Sequence, residues 1–168
     1  RGLSMGGMVG MWMGANAPQR VNRVILSNTS AYFENKQIWN DRIAVVKEKG
    51  LSAIVGGTLE RWFTKPFRDR EPQKVKTIAD MFLATKTEGY IGCGEAVRDM
   101  DHRALLPKIK AATLVIAGTQ DAGTTPEMGE YIRAHVPGAQ IKMLEAAHIA
   151  NVEQESAYTD TMLKFLRA

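Results

Sequence analysis

The chain has 168 residues, 45% of them hydrophobic and 24% charged, which is the composition of one ordinary globular domain and excludes disordered and collagen-like classes. Its single cysteine, Cys93, excludes an internal disulfide framework and a four-cysteine metal knot, and points to a reducing, cytoplasmic compartment. The net charge of +4, from 22 basic and 18 acidic residues interspersed along the chain, suits small anions but forms no basic block for nucleic acid, and no apolar run approaches the roughly 18 residues of a membrane span.

In chain order, Gly2-Leu3-Ser4-Met5-Gly6 comes first. It fits Gly-x-Ser-x-Gly, a turn between strand and helix that carries a serine hydroxyl at its tip. Glycines two residues before and after the serine are expected because the turn leaves no room for a Cβ, and the helix that starts there aims N–H groups at any anion formed nearby. The alternative is a glycine-rich turn whose serine caps the helix. A helix is predicted over Met5–Asn16, with Met5, Met8, Trp12 and Ala15 as its apolar face and Gly6, Gly10 and Gly14 as a flat stripe against a sheet, ended by Pro18. Val24-Ile25-Leu26 suits a buried strand.

Residues 36–106 offer no convincing strand but four helical segments, at 36–49, 51–63, 72–86 and 88–100, punctuated by Pro66, Pro72 and Gly89. Within an alternating β/α pattern such a block reads as an inserted helical cap. Cys93, between two glycines, is expected to be a small buried residue, and the nine methionines to be mostly core filler. From Ala112 the alternation returns: a strand at 113–117 closed by Gly118, a helix at 126–134, a turn at Pro137-Gly138 and a strand over Gln140–Leu144. A last helix at 152–166 places Tyr158, Met162, Phe165 and Leu166 on one face. The expected class is α/β, part of a mostly parallel sheet, with the core in residues 1–35 and 107–168 and the cap in 36–106.

A serine hydroxyl is a poor nucleophile at neutral pH unless a base takes its proton, so the turn at Ser4 calls for a histidine and a carboxylate. Asp121 follows the 113–117 strand by four residues and His148 follows the Gln140–Leu144 strand by four. Both then sit on loops leaving the C-terminal ends of parallel strands, where open α/β sheets carry their sites. An ordinary turn aspartate is the alternative for Asp121. His135, late in its helix, reads as a favourable charge near a helix end, and His102, in a charged connector, lacks a companion ligand at metal-binding spacing. The pattern calls for no cofactor and no metal.

On these residues the chain resembles the α/β-hydrolase enzymes and, within them, the 3-oxoadipate enol-lactonases of aromatic-acid degradation. The likeness is carried by Gly2-Leu3-Ser4-Met5-Gly6-Gly7-Met8-Val9-Gly10, by Leu59-Glu60-Arg61-Trp62-Phe63-Thr64, and by Glu88-Gly89-Tyr90 through Arg98-Asp99-Met100-Asp101. Leu114-Val115-Ile116-Ala117-Gly118, and Ala147-His148 through Asn151-Val152-Glu153-Gln154, extend it along the chain. The resemblance implies an α/β-hydrolase fold with Ser4 as nucleophile, Asp121 as orienting acid, His148 as base and the Met5 N–H as one oxyanion donor. It also implies that roughly the first third of a full domain, with several strands and a second oxyanion donor, lies outside this chain, which opens on Arg1.

The implied reaction opens the enol-lactone ester of a small anion in the β-ketoadipate pathway. Its carboxylate requires cationic donors, for which Arg42, Arg61 and Arg98 are candidates, with Trp39 and Trp62 as apolar walls. A general carboxylesterase, a cofactor-free haloperoxidase-like hydrolase, and an inactive fragment or binding module remain alternatives. Partners expected are the small anionic lactone, and either a second copy or a missing N-terminal segment that completes the sheet, with no nucleic acid and no membrane.

Overall fold

In this computed structural model, which describes all 168 residues, four strands form one wholly parallel sheet in the order β1 (Gly2–Leu3), β2 (Arg23–Ser27), β3 (Ala112–Gly118), β4 (Gln140–Leu144). Parallel neighbours need crossovers. The helix α1 (Met5–Asn16) connects β1 to β2. Between β2 and β3 run α2 (Gln37–Lys49), α3 (Ser52–Trp62), α4 (Lys65–Arg70), α5 (Pro72–Leu83) and α6 (Thr87–Asp99). The helix α7 (Pro126–His135) connects β3 to β4, and α8 (Ala150–Glu153) and α9 (Glu155–Arg167) end the chain. The chain divides into two compact units, Arg1–Ala31 with Asp101–Ala168, and Tyr32–Met100. No helix is long and apolar enough to cross a membrane.

In the sheet unit, Val24 to Ser27 and Thr113 to Gly118 are buried without interruption, as expected for parallel strands covered on both faces. Side chains alternate between the two layers. Ile25, Leu114, Ile116 and Leu144 pack with Tyr158 and Phe165 of α9, while Val24 and Leu26 face α1, and Val115 and Ala117 face α7. Each large side chain so buried contributes about 1.5–3 kcal/mol. A 2.6 Å hydrogen bond between the Ser27 and Tyr158 hydroxyls satisfies two polar groups inside that layer.

The α1 face differs from expectation. The glycines in contact are Gly7, Gly10 and Gly14, against Thr29, Leu26 and Ile109 respectively, and Gly6 has open space around its Cβ position. Met8 and Met11 are buried, whereas Met5 (42%) and Trp12 (52%) are exposed. Helical spacing could not fix the phase because Met5 to Ala15 is apolar or glycine all round, with no polar stripe to contrast.

Three other expectations are corrected. The last helix is interrupted at Gln154, where φ −123° and ψ 49° leave the helical region, and Leu166 points outward. Cys93 is exposed, because α6 turns Gly94 and Val97 inward instead. Of the nine methionines only Met8 and Met11 are buried.

The helical unit adds a short helix the pattern did not suggest, α4, started by the Thr64 side chain accepting from the Phe67 N–H, with Pro66 tolerated in its first turn. Its core gathers Val46, Leu51 and Phe82 with Ile54, Val55, Trp62, Tyr90 and Ile91. Trp62 and Tyr90 meet the Phe82 ring edge-on, at 5.6 and 5.7 Å between centroids.

Candidate active site

The turn at Ser4 is strained and tightly held. Ser4 has φ 53° and ψ −120°, a conformation that costs a non-glycine residue about 1–3 kcal/mol and persists only when its surroundings impose it. They do. The Ser4 N–H donates to the Ser27 carbonyl at 2.9 Å, and the Ser4 carbonyl accepts from the Gly7 N–H at 2.9 Å, the Met8 N–H at 3.2 Å and the Thr29 hydroxyl at 2.7 Å. At Gly2 a Cβ would stand 2.0 Å from the Gly6 carbonyl oxygen, so the first motif glycine is a steric requirement; the second, Gly6, is not. The Ser4 side chain makes no capping bond, which removes the capping reading. Met5 is the first residue of α1, where a helix has N–H groups without partners further back in its own turns.

Asp121 and His148 come together in the segments that follow the C-terminal ends of β3 and β4. Gly118 makes this possible: a Cβ there would lie 2.4 and 2.5 Å from the Ala146 and Ala147 carbonyl oxygens, so only glycine lets the loop after β4 cross the end of β3. The Gln120 N–H then bonds the Ala146 carbonyl at 3.0 Å. The two side chains meet with His148 Nδ1 2.8 Å from Asp121 Oδ2. A carboxylate oxygen only accepts, so Nδ1 carries the proton and Nε2 is the basic nitrogen.

The Asp121 carboxylate, 2% exposed, is fully engaged. Oδ1 accepts the Gly123 and Thr124 N–H groups, each at 2.9 Å. Oδ2 accepts from His148, from the Thr124 hydroxyl at 2.7 Å and from Asn28 Nδ2 at 3.0 Å. Burial alone pushes its pKa up; the bond and charge of His148 and the bonds from Thr124 outweigh that and hold it at about 2. Glu153 fixes the histidine loop from behind, its Oε2 accepting the Ala147 N–H at 3.0 Å. Asn28, Thr29 and Thr124 carry no sequence signal because nothing in their local strings distinguishes them from turn and cap residues, and Glu153 enters only as part of the Asn151-Val152-Glu153-Gln154 string, with no role of its own.

In the helical unit, Arg42 and Arg61 converge on the buried hydroxyl of Thr58, at 2.6 and 3.5 Å. Arg42 also donates to the Tyr90 hydroxyl, and its guanidinium lies over the rings of Trp39 and Tyr90, each 5.8 Å to the centroid. Neither guanidinium has a carboxylate within 4.0 Å. Burial and the charge of Arg42 lower the Arg61 pKa, and burial raises that of Tyr90 against the pull of Arg42. Arg98 stands apart, chelating Asp99 and donating to Asn40. Trp62 is engaged in the core of its unit. His135 is exposed and stacked on Tyr131 at the end of α7, and no group of His, Cys, Asp and Glu side chains is arranged to hold a metal ion.

Comparison with known proteins matches residues 2–155 to a family described by the alpha/beta hydrolase fold. The chain is 39% identical over 157 residues to 3-oxoadipate enol-lactonase 2 of Acinetobacter baylyi, covering 94% of this chain and 59% of that protein. It is 31% identical to 3-oxoadipate enol-lactonase 1 of the same organism, over 99% of this chain and 63% of the relative. The crystal structure of the enol-lactonase from Burkholderia xenovorans LB400 superposes with a TM-score of 0.97 at 38% identity, covering 99% of this chain and 64% of that one. This chain thus spans less than two thirds of the length of these relatives.

Proposed function

Because this chain belongs to the α/β-hydrolase family, we propose that the protein carrying it hydrolyses the ring ester of 3-oxoadipate enol-lactone, in cytoplasmic degradation of aromatic acids, by acyl transfer to Ser4. The observation that carries the reading is the Asp121–His148 pair. A histidine whose Nδ1 proton is committed to a buried, saturated carboxylate carries its basicity on Nε2, the nitrogen a general base uses. His148 Nε2 takes the Ser4 hydroxyl proton as Oγ bonds to the lactone carbonyl carbon, and the carbonyl electron pair moves to oxygen, where the Met5 N–H stabilises the anion. The C–O bond of the ring ester then breaks and the proton passes from His148 to the departing enol oxygen. Water, deprotonated in turn by His148, attacks the acyl ester, the tetrahedral adduct collapses, and Ser4 recovers its proton. Asp121 holds the imidazole in one tautomer and stabilises its positive charge throughout.

The substrate anion is assigned to Arg42 and Arg61. Two guanidiniums around one buried hydroxyl, neither in an ion pair with a carboxylate although the charge of Glu60 acts on Arg61, gain by accepting an external anion, and Trp39 and Tyr90 supply apolar surface beside Arg42. Arg98, already paired with Asp99, leaves the set, while Trp62, partly buried against the same cluster as Tyr90, stays as a further apolar wall. The test compares turnover of the enol-lactone with that of a neutral aryl ester, in the intact natural protein and its variants. Ser4→Ala is expected to lower both by about a millionfold. Arg42→Gln combined with Arg61→Gln is expected to raise KM for the lactone alone, by about tenfold or more. Neutral-ester turnover as fast as that of the lactone, with KM unmoved by the arginine changes, would instead mark a general carboxylesterase.

A further inference from the structure

Asn28 joins the pieces of this site and has no part in the mechanism above. It directly follows β2, is 1% exposed, and holds φ 42°, a left-handed conformation that asparagine tolerates better than most residues. Its neighbours hold the nucleophile turn, Ser27 through its carbonyl and Thr29 through its hydroxyl. Its own N–H donates to the Ile116 carbonyl at 2.8 Å, tying it to β3. Its Nδ2 donates to Asp121 Oδ2 at 3.0 Å and to the carbonyl of Ala147, the residue before His148, at 3.2 Å. Both partners are pure acceptors, so the amide can face them only with its nitrogen, and Oδ1 is buried with no donor from the chain.

We propose that Asn28 is a positioning residue for the acyl transfer, its one amide nitrogen setting the direction of the Asp121 carboxylate and of the backbone that carries His148. The proposal rests on the Ser4–His148–Asp121 reading. Three donors share Oδ2, and a charge-assisted bond among them is stronger than a neutral one. With the amide gone, more of the charge on Oδ2 is left for His148, which holds its proton more tightly, and the Ala147 carbonyl loses its bond to the residue that follows β2. The charged groups around the pair are Asp121 and His148 themselves and Glu153, bonded to the Ala147 N–H from α8; Thr124, also on Oδ2, is neutral.

Two substitutions separate this role from a purely conformational one. Asn28→Gly accepts the positive φ and removes the amide; Asn28→Asp keeps the shape and replaces the donor with an acceptor. In the intact natural protein each is expected to lower kcat by about 10- to 100-fold, with little change in KM, and to move the acid limb of the kcat/KM profile to higher pH. Wild-type kcat and an unmoved limb in Asn28→Gly would reduce the residue to a backbone role and overturn the proposal. Should that variant not fold, an unmoved limb in Asn28→Asp overturns it equally. Ser4→Ala, measured alongside, distinguishes the failures: turnover surviving there removes the triad reading and the proposal with it, whereas a dead Ser4→Ala beside an unaffected Asn28→Gly removes only the proposal.

Discussion

Five donors converge on the Asp121 carboxylate, from Gly123, Thr124 twice, His148 and Asn28, and their effect extends beyond orientation. The folded chain holds this carboxyl at about 2 against 3.8 for an unperturbed group, so the charged form is preferred in the folded state. A group whose pKa is depressed by folding contributes stability that is present above its unfolded value and lost as pH falls through the folded one. Stability is therefore expected to decline between roughly pH 4 and pH 2, with a shallower decline in Asp121→Asn, read by chemical denaturation at a series of pH values. A decline equally steep in that variant would place the acid lability elsewhere. At this scale local spacing pointed to the residues the proposal uses, Ser4 inside two glycines and Asp121 and His148 each four residues past a predicted strand, and of these the structure brings Asp121 and His148 into contact. Asn28 was not, because its partners lie 93 and 119 residues away and Ser27-Asn28-Thr29-Ser30 reads as a plain strand exit.

The elements deliver these residues by close approach. β1 and β3 each rely on a glycine, Gly2 beneath the Gly6 carbonyl and Gly118 beneath the carbonyls of Ala146 and Ala147. A Cβ at Gly118 would meet two backbone oxygens, which cannot rotate away as a side chain can. Gly118→Ala is accordingly expected to cost about 1–3 kcal/mol and to lower Tm by several degrees, the displacement falling on the histidine loop. A variant with unchanged Tm would mean the loop moves freely past β3. The β/α alternation and its strands were legible because buried parallel strands read as unbroken apolar runs. The facing of α1 was not, since a helix of methionine, glycine, valine and tryptophan has no polar side to reveal its phase. Nor was the break at Gln154 legible, where the turn leaves Glu153 bonded to Ala147.

Over the whole molecule, the residues of the proposal fall in two units: Ser4, Asp121, His148 and Asn28 in the sheet unit, and Arg42 and Arg61 in the helical unit. A surplus of only four positive charges was compatible with an anionic substrate, but it could not say which arginines are left without acidic partners; that depends on Arg98 spending itself on Asp99. The most direct test of the central claim, that His148 activates Ser4 as a nucleophile, is labelling of the intact natural protein with a fluorophosphonate, followed by peptide mass analysis. The account predicts one adduct, on Ser4, which disappears in His148→Ala. Absence of an adduct on Ser4, or labelling undiminished without His148, would contradict it.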